Sequence, residues 1–428
     1  MHRFKKNSNL LSVCRRIWRL FNLLGDTGAG KTCLVRQLLG TTGDRFPSVR
    51  RVRTTVAPTE FIITNESTFK AAIVIRPELE VTQFVTEILE QAVTSAFVAM
   101  RAHRDIDDLT DVLSDSPDQR FRLRCFLDEQ NRRLIAQELS TRIVPRLVTW
   151  ANDIFPNEKD DSTILSLGLD EFADELDQIK NRVLSIMIDQ IKQACDCAEE
   201  AANPETFFFE TRERSDFIQR LKHFLSVEDG SVSPAVEKAR VRGNLRSEIM
   251  PQSLELVVVD GEGIGHDTKE ARLLSTRHFD YFYNSDAIIL VEDSETPFRA
   301  GGKSALAAIE KNGYLAKLSL AFSRLDLVQA QNEGRGFQIR ETEKALRNVI
   351  HALKDEQVVI DRPRLDVRFL GNMQQQIPDA ETSQEIRSLL LLINRRHGAA
   401  RTRFVAPRYD YELLAGFLAQ ATTALRQA

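Results

Sequence analysis

Residues Leu23–Gly40 read LLGDTGAGKTCLVRQLLG: an apolar run, a turn with three glycines, and the start of an amphipathic segment. That order predicts a strand over residues 17–24, although Arg19 and Asn22 make it untidy for a buried strand, and a helix over residues 31–39. Glycines let successive backbone N–H groups turn inward around an anion, and the helix that starts there adds the positive end of its dipole. The backbone of Gly25, Asp26, Thr27, Gly28, Ala29, Gly30, Lys31, Thr32 and Cys33 is therefore the expected phosphate cradle. Gly25-x-x-x-x-Gly30-Lys31-Thr32 matches the P-loop pattern in full. Lys31 is expected to reach the β- and γ-phosphates, and the Thr32 hydroxyl to take one position on Mg²⁺.

Working outward, strand signals recur at LELVVVD (254–260), DAIILVED (286–293), KLSLAFSRLD (317–326) and DVRFLGN (366–372), separated by helical patterns such as 340–353 and 383–398. Continuous apolar strands alternating with helices predict an α/β fold with a doubly wound, mainly parallel sheet. EFIIT (60–64) and FKAAIVIR (69–76) read as a hairpin. From about Glu78 the period becomes helical: Val81, Phe84, Val85, Ile88, Leu89, Ala92, Val93, Ala96 and Phe97 recur at three- and four-residue steps. Leu134 to Leu147 and Phe172 to Ile186 continue the pattern, with Pro145 expected to bend or end its helix. An antiparallel bundle is the plain account; a stripe docked on a membrane or partner is the alternative.

The expected organisation is a P-loop NTPase domain in two pieces, residues 1–77 and 226–400, with an all-helical domain inserted over 78–225 and a C-terminal helix over 401–428. A chain of 428 residues with 42% hydrophobic and 28% charged residues is long enough for more than one domain. A net charge of −4 argues against a nucleic-acid partner bound through a basic field. Five cysteines, Cys14, Cys33, Cys125, Cys195 and Cys197, read as reduced thiols in a cytoplasmic setting, with no zinc site expected. No apolar run reaches the roughly 18 residues that a bilayer span needs. The basic, acid-free first 25 residues read as an exposed lead-in to the first strand, a targeting arm being the alternative.

Three further motifs follow the glycine-rich turn. LVVVDGEG places Asp260-x-x-Gly263 at a strand end, where Asp260 is expected to hold Mg²⁺ through water and the Gly263 N–H to sense a γ-phosphate. AFSRLD resembles the Asn/Thr-Lys-x-Asp motif that reads guanine, written here Ser323-Arg324-Leu325-Asp326. An aspartate there accepts from guanine N1 and N2, a pair of donors that adenine lacks. Arg324 in place of lysine can still stack on a base. In RRVRTTVAPTEF, Thr54 and Thr55 both qualify as the threonine that closes over Mg²⁺ and the γ-phosphate.

With these motifs in order, the chain resembles a TRAFAC-class P-loop GTPase, of the dynamin-like kind or a related one with a large helical insertion. The resemblance covers residues near 17–76 and 254–398. It implies Mg²⁺ and GTP, with ATP the less expected nucleotide, and hydrolysis by positioning and charge stabilisation. R-V-R-T-T is similar to the R-V-K-T-T string of heterotrimeric G-protein alpha subunits, which would make Arg51 an arginine finger in cis and Thr54 the Mg²⁺ ligand. There are departures. Ser323 and Arg324 replace the usual Asn/Thr and Lys. Leu370-Gly371-Asn372 is a faint fifth guanine motif, and Ile264 stands where many small GTPases carry a water-orienting glutamine. His266 could serve instead, but reads better as an exposed loop residue. Thr55 and Asp260 are 205 positions apart, so the helical insertion falls between the two switch stretches and is the expected output element. A protein partner or self-association through it is expected. A membrane-remodelling role has no apolar or basic paddle to support it, and a nucleotide-dependent scaffold with negligible turnover is the alternative from another class.

Overall fold

The computed structural model describes residues 19–401 apart from 49–56, 105–107, 117–120, 157, 159, 197–199, 204–205, 227–229, 262, 265–273, 275 and 330–333. Among the described residues, ten strands form one sheet in the order β10-β9-β8-β1-β7-β2-β6-β3-β5-β4. They are β1 (Arg19–Leu24), β2 (Thr59–Ile63), β3 (Phe69–Ile75), β4 (Glu200–Asn203), β5 (Thr206–Thr211), β6 (Val236–Gly243), β7 (Leu256–Asp260), β8 (Ala287–Asp293), β9 (Leu318–Ser323) and β10 (Asp366–Phe369).

The half from β10 to β7 is parallel throughout, as the apolar runs predict. Helices α8 (Thr276–Asn284), α9 (Ala300–Lys311) and α10 (Gly334–Asp355) connect its strands. Phe282, Ile288, Leu290, Leu306, Ile309, Leu320, Phe322, Leu346 and Leu353 form its buried core. The order reverses beside β1: β7 lies on one side of it and β8 on the other. In open α/β sheets the crevice beyond the strand ends at such a reversal is where ligands bind.

The other half is mixed, and here the sequence reading needs correcting. The expected hairpin does not form: β6 lies between β2 and β3, parallel to the first and antiparallel to the second. The reason lies in β6, VEKARVRG, whose alternating charges hide a strand. Arg240 pairs with Glu60 at 2.6 Å and Arg242 with Glu66. Half-exposed pairs of this kind are worth under about 1 kcal/mol, so they fix register more than stability. β2 is antiparallel to β7, with Thr59 opposite Asp260.

Between β3 and β4 the chain is helical: α2 (Glu78–Arg101), α3 (Glu129–Glu138), α4 (Val144–Ile154), α5 (Asp161–Glu171) and α6 (Ala173–Asp196). The α2 stripe is buried as its spacing predicts, apart from the half-buried Phe84, and α2 packs on α4 and α6. Pro145 neither ends nor breaks the path: a single π turn, Leu139–Ile143, widens the helix just before it. The interval 78–225 is not helical throughout, because β4 and β5 return to the sheet before α7 (Arg214–Leu225). Phe69, Phe209 and Phe217 stack α7 on β3 and β5, with ring centroids 5.4 and 5.5 Å apart.

The first compact unit ends at Leu389, within α11 (Ala380–Arg401). A second begins at Leu390 and is described as far as residue 401; the C-terminal helix expected over 401–428 otherwise lies outside the described residues. Among the described residues, no helix is long and apolar enough to cross a membrane.

Candidate functional site

Helix α1 (Lys31–Leu39) starts directly from the glycine-rich turn at the carboxyl end of β1. Its N-cap, Gly30, sits at φ 92°, a left-handed conformation, and a Cβ there would lie 2.8 Å from Ser323 Oγ. The N–H groups of the first helical turn have no intrahelical acceptor, so they are available to an anion. Lys31 is buried, and its ammonium donates to the carbonyls of Gly25 (2.8 Å) and Asp26 (3.0 Å), inside the turn.

Strand pairing brings the second motif to the first. Asp260, at the end of β7, lies opposite Leu23 of β1. The Thr32 hydroxyl donates to Asp260 Oδ2 at 3.3 Å, across 228 positions of sequence. Asp260 is 2% exposed, and its Oδ1 is buried without a hydrogen-bond partner. Burial pushes its carboxyl up to about 6, against the pull of the Lys31 ammonium and the Thr32 hydrogen bond. A buried carboxylate with an open oxygen beside a hydroxyl is a donor set suited to Mg²⁺, directly or through water. Gly263 closes on the same turn: a Cβ there would lie 2.5 Å from Thr27 Oγ1. Next to it Ile264 bridges Asp26, donates its N–H to the Gly25 carbonyl at 3.0 Å, and is buried in the core.

The third motif reaches the turn from β9. Ser323 is fully buried, and its hydroxyl donates to the Ala29 carbonyl at 2.6 Å. The serine thus ties its loop to the phosphate turn. Arg324 adopts φ 54°, and its guanidinium pairs with Asp293 at 2.7 Å. Asp326 is exposed and accepts the Asn372 N–H at 2.7 Å. The faint fifth motif, Leu370–Asn372, therefore does stand beside Asp326.

Arg51, Thr54, Thr55 and His266 lie outside the described residues. Ser48 and Ala57, which flank 49–56, both line a small cavity with Thr32, Thr59, Asp260, Phe224 and Leu225. Sequence reasoning missed Glu292 at the end of β8, 2% exposed, and Gln37 in the middle of α1, equally buried. A carboxylate closing an apolar strand and an amide inside an apolar helix stripe were the available signals.

No protein-family model matches the sequence, and no curated protein is similar to it in sequence. It is similar to two solved structures of an oligomerised bacterial dynamin pair, described as providing a mechanism for long-range sensing and tethering of membranes. The TM-scores are 0.41 and 0.40, with 12% identity in each case and 99% of this chain covered. The chain spans about half the length, 46%, of the chains it matches.

Proposed function

We propose that this chain is a P-loop GTPase that binds and hydrolyses Mg²⁺–GTP, with the helical stretch inserted in its nucleotide domain as the output. One observation carries the reading: the Thr32–Asp260 hydrogen bond sets a hydroxyl and a buried, half-partnered carboxylate together behind Lys31. In this reading the nucleotide domain is built from the chain on either side of the helical stretch Glu78–Asp196, with β4 and β5 returning to its sheet. The backbone from Asp26 to Cys33 cradles the phosphates, and Lys31 leaves the carbonyls of its own turn for the β- and γ-oxygens. Thr32, Asp260 and either Thr54 or Thr55 arrange the cation, which neutralises charge developing on the phosphates. The Gly263 N–H meets the γ-phosphate. Arg51 supplies positive charge to the transferred phosphoryl group. Asp326 reads guanine, the stem of Arg324 covers the base, and Ser323 joins the two halves of the site. Catalysis is then positioning and electrostatic stabilisation, with no covalent intermediate.

Two substitutions test this. Lys31→Ala should abolish GTP turnover and weaken nucleotide binding; unchanged turnover and affinity would end the proposal. Asp326→Ala should cost GTP about 2 kcal/mol, roughly 30-fold, by removing a charged acceptor, and leave ATP unaffected. If ATP binds the wild type more tightly and the variant changes nothing, the chain is an ATPase on the same fold. The Ile264 side chain has no group to orient a water and is buried. That favours, as a second reading, a scaffold that GTP orders and hydrolyses negligibly. Single-turnover hydrolysis separates the two. Self-association or a protein partner through the helical stretch belongs to both.

A further inference from the structure

The loop between β10 and α11, residues 370–379, is held from two sides. From α1, the buried Gln37 amide donates to the carbonyls of Met373 (2.9 Å) and Gln375 (2.8 Å), which uses both of its N–H groups. From the first turn of α10, Arg335 donates Nη2 to the Phe369 carbonyl at 2.9 Å and Nε to Glu381 at 2.6 Å. Its Nη1 lies 3.4 Å from the Thr382 hydroxyl and 3.5 Å from Asp379 Oδ1. Asp379 accepts the Thr382 N–H at 2.7 Å and the Asn372 side-chain amide at 3.2 Å. The buried Thr382 hydroxyl accepts the Gly371 N–H at 2.9 Å. What emerges from this network is the backbone of 370–372, whose Leu370 carbonyl takes the Leu325 N–H at 3.1 Å and whose Asn372 N–H holds Asp326 Oδ1.

Asp326 is exposed and sits on a short 3₁₀ turn after a left-handed residue. Nothing in that turn alone fixes its carboxylate. Selection of guanine over adenine depends on acceptors aimed at two donors, and an acceptor left to rotate loses that advantage to entropy. We infer that Gln37 and Arg335 are positioning residues for base selection: through the 370–379 loop they hold the Asp326 carboxylate at the angle that guanine requires. The inference rests on the GTP reading above. It also links the two halves of the site, because Gln37 lies on the helix that carries Lys31 and Thr32.

The test is calorimetry on the full chain with Mg²⁺ and three probes: GTP, ATP and inorganic tripolyphosphate. Arg335→Gln, at a half-exposed position, should lower GTP affinity about tenfold by removing charge-assisted bonds, and leave tripolyphosphate unchanged. Arg335→Lys, which keeps the charge without the fork, should recover part of the loss. In an Asp326→Ala background Arg335→Gln should add nothing, because the two residues act in series. Gln37→Met is the independent variant from the α1 side and should repeat the pattern. If Arg335→Gln leaves GTP affinity intact, or weakens GTP and tripolyphosphate together, the inference is overturned while the GTP reading stands. A wild type that binds GTP and ATP equally removes both.

Discussion

Replacing Glu292 with glutamine tests how the buried acids beside the glycine-rich turn are held. Glu292 ends β8, where Oε2 accepts the Phe298 N–H at 2.9 Å and Oε1 is buried against Gly302 with no hydrogen-bond partner. Burial pushes its carboxyl up to about 8; the Phe298 N–H and Lys31 pull down, while Asp26 and Asp293 push up. The native group therefore keeps its proton at pH 7, where an unfolded glutamate, near its ordinary value of 4.5, has lost it. A raised native pKa gives stability that is fully present below about 4.5 and is lost as pH rises through about 8. One extra proton on the native state corresponds to about 1.4 kcal/mol per pH unit in that window. Between about pH 6.5 and 7.5 the wild type should thus lose about 1 kcal/mol from this group; Asp260, at about 6, contributes little there. Glu292→Gln keeps the acceptor for Phe298 N–H and removes the titration, so its stability should be flatter by that amount. Urea midpoints at several pH values, with chelator and without nucleotide, measure the difference. Infrared spectroscopy gives a second readout: the C=O stretch of a protonated carboxyl present at pH 7 in the wild type and missing in the variant. Parallel pH profiles, or no such band, would mean that Glu292 is ionised in the fold and that burial does not control it.

Two further outcomes are expected. Protons compete for Asp260 below about 6, so affinity for Mg²⁺–GTP should fall up to about tenfold per pH unit below that point and be level above it, whereas Asp260→Asn should bind weakly with no such dependence in calorimetry from about pH 5 to 8. Trp150, on α4 with Phe155 edge-on at 5.6 Å, is one of two tryptophans, so a Trp18→Phe chain makes it the sole reporter of the helical stretch. Its emission should differ between a non-hydrolysable GTP analogue and GDP, and identical spectra would confine the nucleotide's effect to the sheet.

The parts of this molecule that the sequence discloses are those made by local pattern. β1, β7, β8 and β9 are apolar runs that a two-sided parallel sheet demands, and the glycine turn, Asp260 and Asp326 stand at strand ends in fixed spacing. What stays hidden depends on distant partners. β6 is a strand because Arg240 and Arg242 find Glu60 and Glu66 about 180 positions away, and without them its charges read as loop. Gln37 matters because Met373 lies 336 positions on, and Arg335 because the end of β10 and the start of α11 both meet its guanidinium. No window of sequence contains those relations.

The same topology decides how a nucleotide could reach the helices. In sequence the helical stretch falls between 49–56 and Asp260, but it does not attach to either: β2 and β3 come first, and β6 is inserted between them. Two physical routes remain. One runs through the sheet, from Asp260 to Thr59 opposite it and across β6 to β3, which leads into α2. Hydrogen-bonded strands resist sliding, because a one-residue slip would turn every side chain to the wrong face, so this route can carry a tilt but hardly a shift. The other is shorter. Phe224 and Leu225, at the end of α7, line the same small cavity as Thr32, Asp260, Ser48 and Ala57. A cation held at Thr32 and Asp260 would alter the cavity that the end of α7 lines, and α7 rests on β3, which leads into the helical stretch, and on β5, which follows it. Packed contacts of this kind move between discrete arrangements and do not deform continuously. In the proposed reading, the end of α7 is thus where an event at the phosphates would reach the helices.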